Sequence, residues 1–324
     1  MTIDSQAILI LCSNLCVGEG LTPFKPSEWK DLAQRLLAHK LRPGSLLSTT
    51  KDEIVANLNC EEEYADRIVR LVGRSASLFF EISKYENIGI SLVTRADSAY
   101  PRRLRSRLGD SCPPFFFYAG DLSLLNKKSL GIVGSRNMNG ADANFESALV
   151  GDAVSNKYVI VSGGARGADS IAEDVALDSG GRAVEFIADS MINKLCTSKT
   201  IKAVQQGKLL VLSVVNPDAH FNVGNAMNRN KYIYAQSDAV VAIKSMKRGG
   251  TWSGVMENLK KQYCSVFCWN NSEYADNLAL IQSGAIPIDS DWNVKSVALD
   301  NKRSLLKDSK STEPKKNSQL SLIS

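Results

Sequence analysis

From about residue 113 the chain alternates short apolar runs with stretches of helix length, and this alternation constrains the fold more than any other feature. The apolar runs are SLGIVG (129–134), YVIVSG (158–163), AVEFI (183–187), LLVLSVV (209–215), AVVAI (239–243) and SVFCW (265–269). Each is too short for a helix and nearly continuous in apolar character, as expected of a strand buried on both faces. The segments NFESALVGDAVSN, DSIAEDVALDSG, NKLCTSKTIKAVQQG, AMNRNKYIYAQSD, TWSGVMENLKKQ and ADNLALIQSG supply the crossover helices. The pattern predicts an α/β domain over 111–292 with a doubly wound, mostly parallel sheet.

Upstream, residues 1–110 read as a small helical N-terminal module. Apolar periodicity runs through WKDLAQRLLAHKL (29–41) and ADRIVRLVGRSASLFFEISKY (65–85), with glycine and proline turns between them. A run of arginines, Arg102, Arg103, Arg105 and Arg107, precedes the sheet and suits either a solvated face or a nucleic-acid contact. Downstream, residues 293–324 become rich in lysine and serine, too polar to offset the entropy of folding, so a flexible basic tail is expected.

Charge and cysteine usage narrow the function classes. The net charge is +5, yet residues 301–324 hold six basic against two acidic side chains, so the rest of the chain is close to neutral. Any nucleic-acid contact outside the tail must therefore come from local clusters rather than a bulk field. Seven scattered cysteines, mostly in apolar runs, read as reduced core thiols, and no metal site is expected from their spacing. The amino terminus lacks the features of a secretory signal and no apolar run approaches membrane length, so a cytoplasmic protein without membrane attachment is expected.

In open parallel sheets, ligands sit off the carboxyl ends of the strands. Two glycine turns gather there. The first strand ends in GIVGSR (131–136), where Gly134 admits an anion close to the backbone, Ser135 offers a hydroxyl and Arg136 a phosphate fork. The second ends in Ser162-Gly163-Gly164-Ala165-Arg166-Gly167, a further set of backbone donors before a helix. The first turn is not G-x-G-x-x-G, and the second strand ends in serine and glycines where an acid would hold a ribose. A Rossmann-type sheet with no dinucleotide cofactor follows. HFNVGNAMNRNK (220–231) adds Phe221, Arg229, Asn230 and Lys231, and KSMKRGGTWSG (244–254) adds Lys247, Arg248, Gly249, Gly250 and Thr251. Phosphate-gripping groups beside an aromatic ring suit single-stranded nucleic acid, although Phe221 read alone fits a core position equally well.

The order of these motifs resembles the DprA (Smf) DNA-processing family. PFFFYAGDLSLL (114–125) before GIVGSR, then VSGGARGADSIAEDVAL (161–177), RNKYIYAQSDAVVAI (229–243), GGTWSG and LIQSGA (280–285) carry the likeness over roughly residues 85–290. The resemblance implies single-stranded DNA binding without catalysis, homodimerisation and delivery of DNA to a RecA-type recombinase, as in natural transformation and recombination. It implies DNA contacts at Arg136, at Ser162 to Gly167, and at Phe221, Arg229 and Asn230. Departures are ADSMINKLC (188–196), where a tyrosine-proline pair and an asparagine are usual, and Gly164 and Ala168 in place of leucine and isoleucine. Gln319, Leu320, Leu322 and Ile323 resemble the short peptide by which many bacterial DNA enzymes dock on the sliding clamp. Two other functions fit the same loops. One is a nucleotide-binding sensor in a defence system. The other is a nucleotide phosphoribohydrolase, in which Glu257 after Gly249-Gly250-Thr251 would act on the glycosidic bond.

Overall fold

The computed structural model describes residues 1–297, which fall into two compact units, Met1–Tyr118 and a second beginning at Ala119. The expected clamp-binding peptide and the tail beyond 297 lie outside the described residues. No helix among the described residues is long and apolar enough to cross a membrane.

The first unit is built round α1 (Ile3–Cys12), whose run Ala7 to Leu11 is buried on every side. A helix apolar all round belongs in the middle of a core, and the helices α2 (Pro26–Ala38), α3 (Lys51–Leu58), α4 (Glu62–Gly73) and α5 (Ser75–Asn87) complete the unit's helical part. The periodicity over 65–85 predicts one helix where there are two. The break falls at Arg74, whose buried guanidinium turns inward to donate to the carbonyls of Ile10, Ser13 and Leu15 at the end of α1. A strand pair follows: β1 (Ser91–Thr94) runs antiparallel to β2 (Phe115–Ala119), Leu92 opposite Phe117. Between them the arginine run forms α6 (Arg102–Leu108), which buries Leu104 and Leu108.

The second unit holds the parallel sheet. Its elements are β3 (Ser129–Val133), α7 (Gly140–Ser155), β4 (Val159–Ser162), α8 (Ala168–Asp178), β5 (Ala183–Ile187), α9 (Met191–Lys194), α10 (Ser198–Gln205), β6 (Leu209–Ser213), α11 (Val223–Gln236), β7 (Ala239–Ala242), α12 (Gly250–Lys261), β8 (Ser265–Trp269), α13 (Ala275–Gln282) and β9 (Ile286–Ile288). The strand order is β6-β5-β4-β3-β7-β8-β9, with the pairs from β5/β6 through β8/β9 parallel. All six apolar runs read from the sequence are strands here. Only β9 was not foreseen, a three-residue edge strand carrying Pro287, which such edges tolerate. The segment 193–207 is two helices rather than one, because Thr197 breaks the first and caps α10 by accepting the Thr200 N–H. From β3 the chain winds to β6 on one side, then crosses back to β7 on the other. The loops after β3 and β7 therefore diverge at the reversal of strand order, the place where such sheets open a crevice.

Beneath those loops α7 packs on α8 and carries a fully buried acid, Glu146, neither of whose carboxylate oxygens has a hydrogen-bond partner. Burial, helped by the nearby charges of Asp169 and Asp142, pushes its pKa from the ordinary 4.5 up to about 9. Because the folded value is the raised one, this residue's contribution is fully present below about pH 4.5 and is lost as pH climbs toward 9, at about 1.4 kcal/mol per pH unit. Glu146→Gln keeps the shape and removes the titration. The difference in unfolding free energy between variant and parent, measured by denaturant titration, is expected to widen in the variant's favour across that window and to be flat below it.

Candidate nucleic-acid interface

The turns after β3 and β4 interlock. Gly167 sits at φ +81°, and a side chain there would strike the Ser135 carbonyl at 2.4 Å and the Arg136 Cα at 2.6 Å. Gly134 in turn lies so close to Ala168 that a Cβ would stand 2.5 Å from the alanine methyl. The Ala168 N–H closes the contact by donating to the Ser135 carbonyl at 3.1 Å. Ser135 is itself buried, and its Oγ accepts the Asn137 N–H at 3.0 Å, so this hydroxyl shapes the turn. The result is a double turn whose two exposed arginines, Arg136 and Arg166, stand at the start of α8, a helix with no capping side chain.

Under this double turn lies Arg229, a residue the sequence reading offers to DNA. Arg229 was expected to reach DNA, but it is only 7% exposed. Its Nη1 donates to the Phe186 carbonyl at 2.7 Å and stands 3.8 Å from Asp169 Oδ2. The guanidinium fills the space above Gly163 so fully that a Cβ there would fall 1.3 Å from Nη1. Asp169 accepts the Ala165 N–H at 3.2 Å. Burial raises the Asp169 pKa, opposed by Arg229 and by hydrogen bonds from the loop amides; burial lowers that of Arg229, opposed chiefly by Asp169.

A cleft of about 330 Å³ opens beside the double turn at the reversal of strand order. Of the residues read from the sequence, Gly134, Ser135, Arg136, Arg166, Phe221, Arg229, Asn230, Gly249, Gly250 and Thr251 line it. Gly163 and Gly164 line an adjoining space of about 200 Å³ that shares Arg136, Arg166, Phe221 and Arg229. Phe221 is not a core residue: its ring is 50% exposed, and the Arg136 guanidinium carbon stands 5.0 Å from its centroid. Asn230 is turned to structure, its Nδ2 donating to the Gly250 carbonyl at 3.2 Å and so fixing the start of α12.

Five expected residues are not on the cleft wall, one of them Gly167, which packs against Ser135 and Arg136. Ser162 is buried at the end of β4, opposite Glu185 of β5. Lys231 points its ammonium at the Tyr232 ring, 5.3 Å from the centroid. Lys247 and Arg248 are exposed between two lining residues, Met246 and Gly249, and Arg248 holds a left-handed φ of +69°. Glu257, the acid of the hydrolase reading, is exposed and is not among the residues lining the cleft. The sequence reading missed Asp169, although it stands in the second motif, and the apolar wall from Val133, Val223, Ala226, Met227, Ile233, Tyr234 and Met246. Those side chains look like ordinary helix and strand core, and only the tertiary arrangement gives them an open face.

A neighbouring cleft of about 760 Å³ has the opposite character. Glu173, Asp174, Asp189 and Asp218 line it, and its two lysines are already engaged. Lys194 lies 2.6 Å from Glu173 and 2.7 Å from the fully buried Glu185, while Lys199 lies 2.5 Å from Asp174. Burial raises the Glu185 pKa well above the carboxylate range.

The second unit is thus a Rossmann-type α/β protein whose sheet crevice presents two interlocked glycine turns without the acid that would hold a dinucleotide ribose. Residues 91–296 match the family described as DNA recombination-mediator protein A, and the chain belongs to that family. It is similar to DNA processing protein DprA of Bacillus subtilis (strain 168), with 25% identity over 304 residues, covering 91% of this chain and 95% of that protein. Its fold resembles the X-ray structure of DprA from Streptococcus pneumoniae, with a TM-score of 0.63 and 22% identity over 82% of this chain and 95% of that one. It also resembles DprA of Helicobacter pylori, a structure described for its single-stranded DNA binding mode, with a TM-score of 0.52 and 25% identity over 68% of this chain and 96% of that one.

Because Arg229 occupies the space a side chain at 163 would need, Gly163→Ala is expected to destabilise the protein by about 1–3 kcal/mol or more, the range of overpacked cores. Thermal or denaturant unfolding of purified variant and parent checks this. Gly140→Ala, at a helix position with nothing within 4 Å of the added carbon, serves as the comparison and should change stability far less.

Proposed function

We propose that this cleft grips the sugar-phosphate chain of single-stranded DNA and that the protein acts by binding rather than by catalysis. The observation that carries this reading is the pair of exposed arginines, Arg136 and Arg166, on interlocked turns beside the half-exposed ring of Phe221. Arginine forks and loop amides hold consecutive phosphates, and the ring offers a face on which any base can stack. Membership of a recombination-mediator family and the single-stranded DNA binding described for the Helicobacter pylori relative support it.

The charges around the cleft give the strand a direction. The neighbouring cleft is acidic and its lysines are neutralised, so phosphates avoid it. Lys247 and Arg248 are exposed on the loop between the lining residues Met246 and Gly249 and are offered as an extension of the phosphate track. Arg229 has a different part. It positions the second turn from below and makes no phosphate contact. The phosphoribohydrolase reading loses its acid, since Glu257 lies off the cleft. Transfer of the strand to a RecA-type recombinase belongs to the same proposal and rests on resemblance, the family being described as a DNA recombination mediator. Homodimerisation and clamp docking through Gln319, Leu320, Leu322 and Ile323 complete the proposal and rest on resemblance alone.

Arg136→Ala is expected to weaken binding of an oligodeoxythymidine strand by about 1–3 kcal/mol. It should also make the plot of log affinity against log salt shallower by about 0.7, the share of one phosphate on a single strand. Arg229→Lys should weaken binding while leaving that slope as it is. A fluorescence anisotropy series across salt concentrations reads both. Unchanged affinity in Arg136→Ala would mean that the phosphates lie elsewhere.

A further inference from the structure

Lys247 and Arg248 form the exposed corner of a turn that is held from the start of α13, after β8. The Gly249 N–H closes the turn by donating to the Met246 carbonyl at 2.8 Å, and Arg248 takes a left-handed φ of +69°. The third position of such a turn normally falls to glycine, so a larger residue persists there only where the surroundings fix the backbone. Two consecutive residues of α13 do this. The Lys247 N–H donates to Asp276 Oδ2 at 2.7 Å, and the Ser245 N–H donates to Asn277 Oδ1 at 2.8 Å.

Asn277 is fully buried, and its Nδ2 donates to the carbonyls of Ile243 at 2.9 Å and Trp269 at 3.0 Å, so one side chain fastens the ends of β7 and β8 together. The root of the same loop is tied by Lys244, whose ammonium lies 2.8 Å from the buried Asp142 and 4.8 Å from the centroid of the Tyr274 ring. Asp142 also accepts the Asn139 N–H at 2.8 Å and the Tyr274 hydroxyl. The root is thus fastened from the loops after β3 and β8, and Asp276 is the contact that reaches the tip. A carboxylate beside two cations lowers the positive potential that would attract a phosphate. Here it is spent on a backbone amide, which is a task of shape rather than of charge.

From this geometry we infer that Asp276 is a positioning residue for the phosphate track: seated by Asn277, it fixes the turn 246–249 so that Lys247 and Arg248 are preset for an anion. The inference rests on the DNA-binding reading for what the two cations grip, while the clamp on the turn is a property of the ligand-free protein. Presetting matters because long side chains on a loose loop lose more freedom when they meet a phosphate chain. The two roles open to Asp276 act in opposite directions. As a charge it repels phosphate, and its removal strengthens binding. As a clamp it preorders the cations, and its removal weakens binding.

The experiment uses the full chain with Asp276→Ala and Asp276→Asn, each made in the parent and in a Lys247→Ala/Arg248→Ala background. Without ligand, trypsin cleavage after Lys247 and Arg248 is followed by mass spectrometry in the variants that keep both residues. Asp276→Ala should speed that cleavage about threefold or more, whereas Asp276→Asn, which retains an acceptor for the Lys247 N–H, should cleave like the parent. Affinity for an oligodeoxythymidine strand should fall about three- to tenfold in Asp276→Ala, the value of one hydrogen bond, even though a negative charge has been removed. Asp276→Asn should bind at least as tightly as the parent. In the Lys247→Ala/Arg248→Ala background, Asp276→Ala should cause no further loss. Unchanged cleavage in Asp276→Ala overturns the clamp. Tighter strand binding in Asp276→Ala, or an equal loss in the background that lacks both cations, overturns the positioning role while the DNA reading survives. If the parent binds no strand, the DNA reading falls, and faster cleavage in Asp276→Ala alone still upholds the clamp.

Discussion

The second unit turns on one buried guanidinium. Arg229 stands where the turn after β4 would otherwise collapse, tied to the Phe186 carbonyl on β5 and facing Asp169 at the start of α8. A charge removed from water is tolerated only when it is paired and hydrogen-bonded, and removing one partner leaves the other exposed to the full desolvation penalty. The pair therefore couples β5, α8 and α11 to a single loop conformation. Gly163 has no side chain because the guanidinium is there, and Asp169 is drawn in to take the loop amide. Arg166, on the same loop, is exposed.

That arrangement differs from a dinucleotide pocket at the end of the second strand. In a dinucleotide fold an acid at the end of the second strand reaches the ribose hydroxyls. Here β4 ends in the buried Ser162, and the next position is covered by Arg229. A positive group under the turn favours anionic ligands above it and leaves nothing to clasp a diol. Glycine turns alone do not fix the ligand, since one sheet can serve unrelated ones.

Much of this was legible in the sequence. The strands from SLGIVG to SVFCW showed themselves as short apolar runs, because strands buried on both faces have no polar alternation to blur them. The two glycine turns were visible as motifs, and their neighbourhood followed from the parallel pairing of consecutive strands. What stayed hidden was direction. Arg229 and Arg136 are the same residue type in comparably polar stretches, and only the packing of α11 under the turn sends one inward and the other out. Phe221 was ambiguous for the same reason. Lys231 follows Asn230 directly, and on a helix that single step rotates it from the cleft toward Tyr232. Helix breaks were hidden too: the periodicity of 65–85 continues through Arg74, and only the carbonyls at the end of α1 give its guanidinium a reason to interrupt the helix.

The near-neutrality of the described chain gives the local charge pattern its force. With little net field, a phosphate chain is guided by contrasts over distances comparable to the Debye length, about 8–10 Å at ordinary salt. The cleft lined by Arg136 and Arg166, with the exposed Lys247 and Arg248 between its lining residues Met246 and Gly249, lies beside a cleft whose lysines are bound to Glu173, Glu185 and Asp174. Those internal ion pairs neutralise the second cleft's lysines and leave its outer acids, Asp189 and Asp218, unopposed by them. The same pairs fasten α9 to β5 and α8, which fixes the floor of the acidic cleft. The sign contrast between the two clefts thus follows from packing rather than from an excess of basic residues.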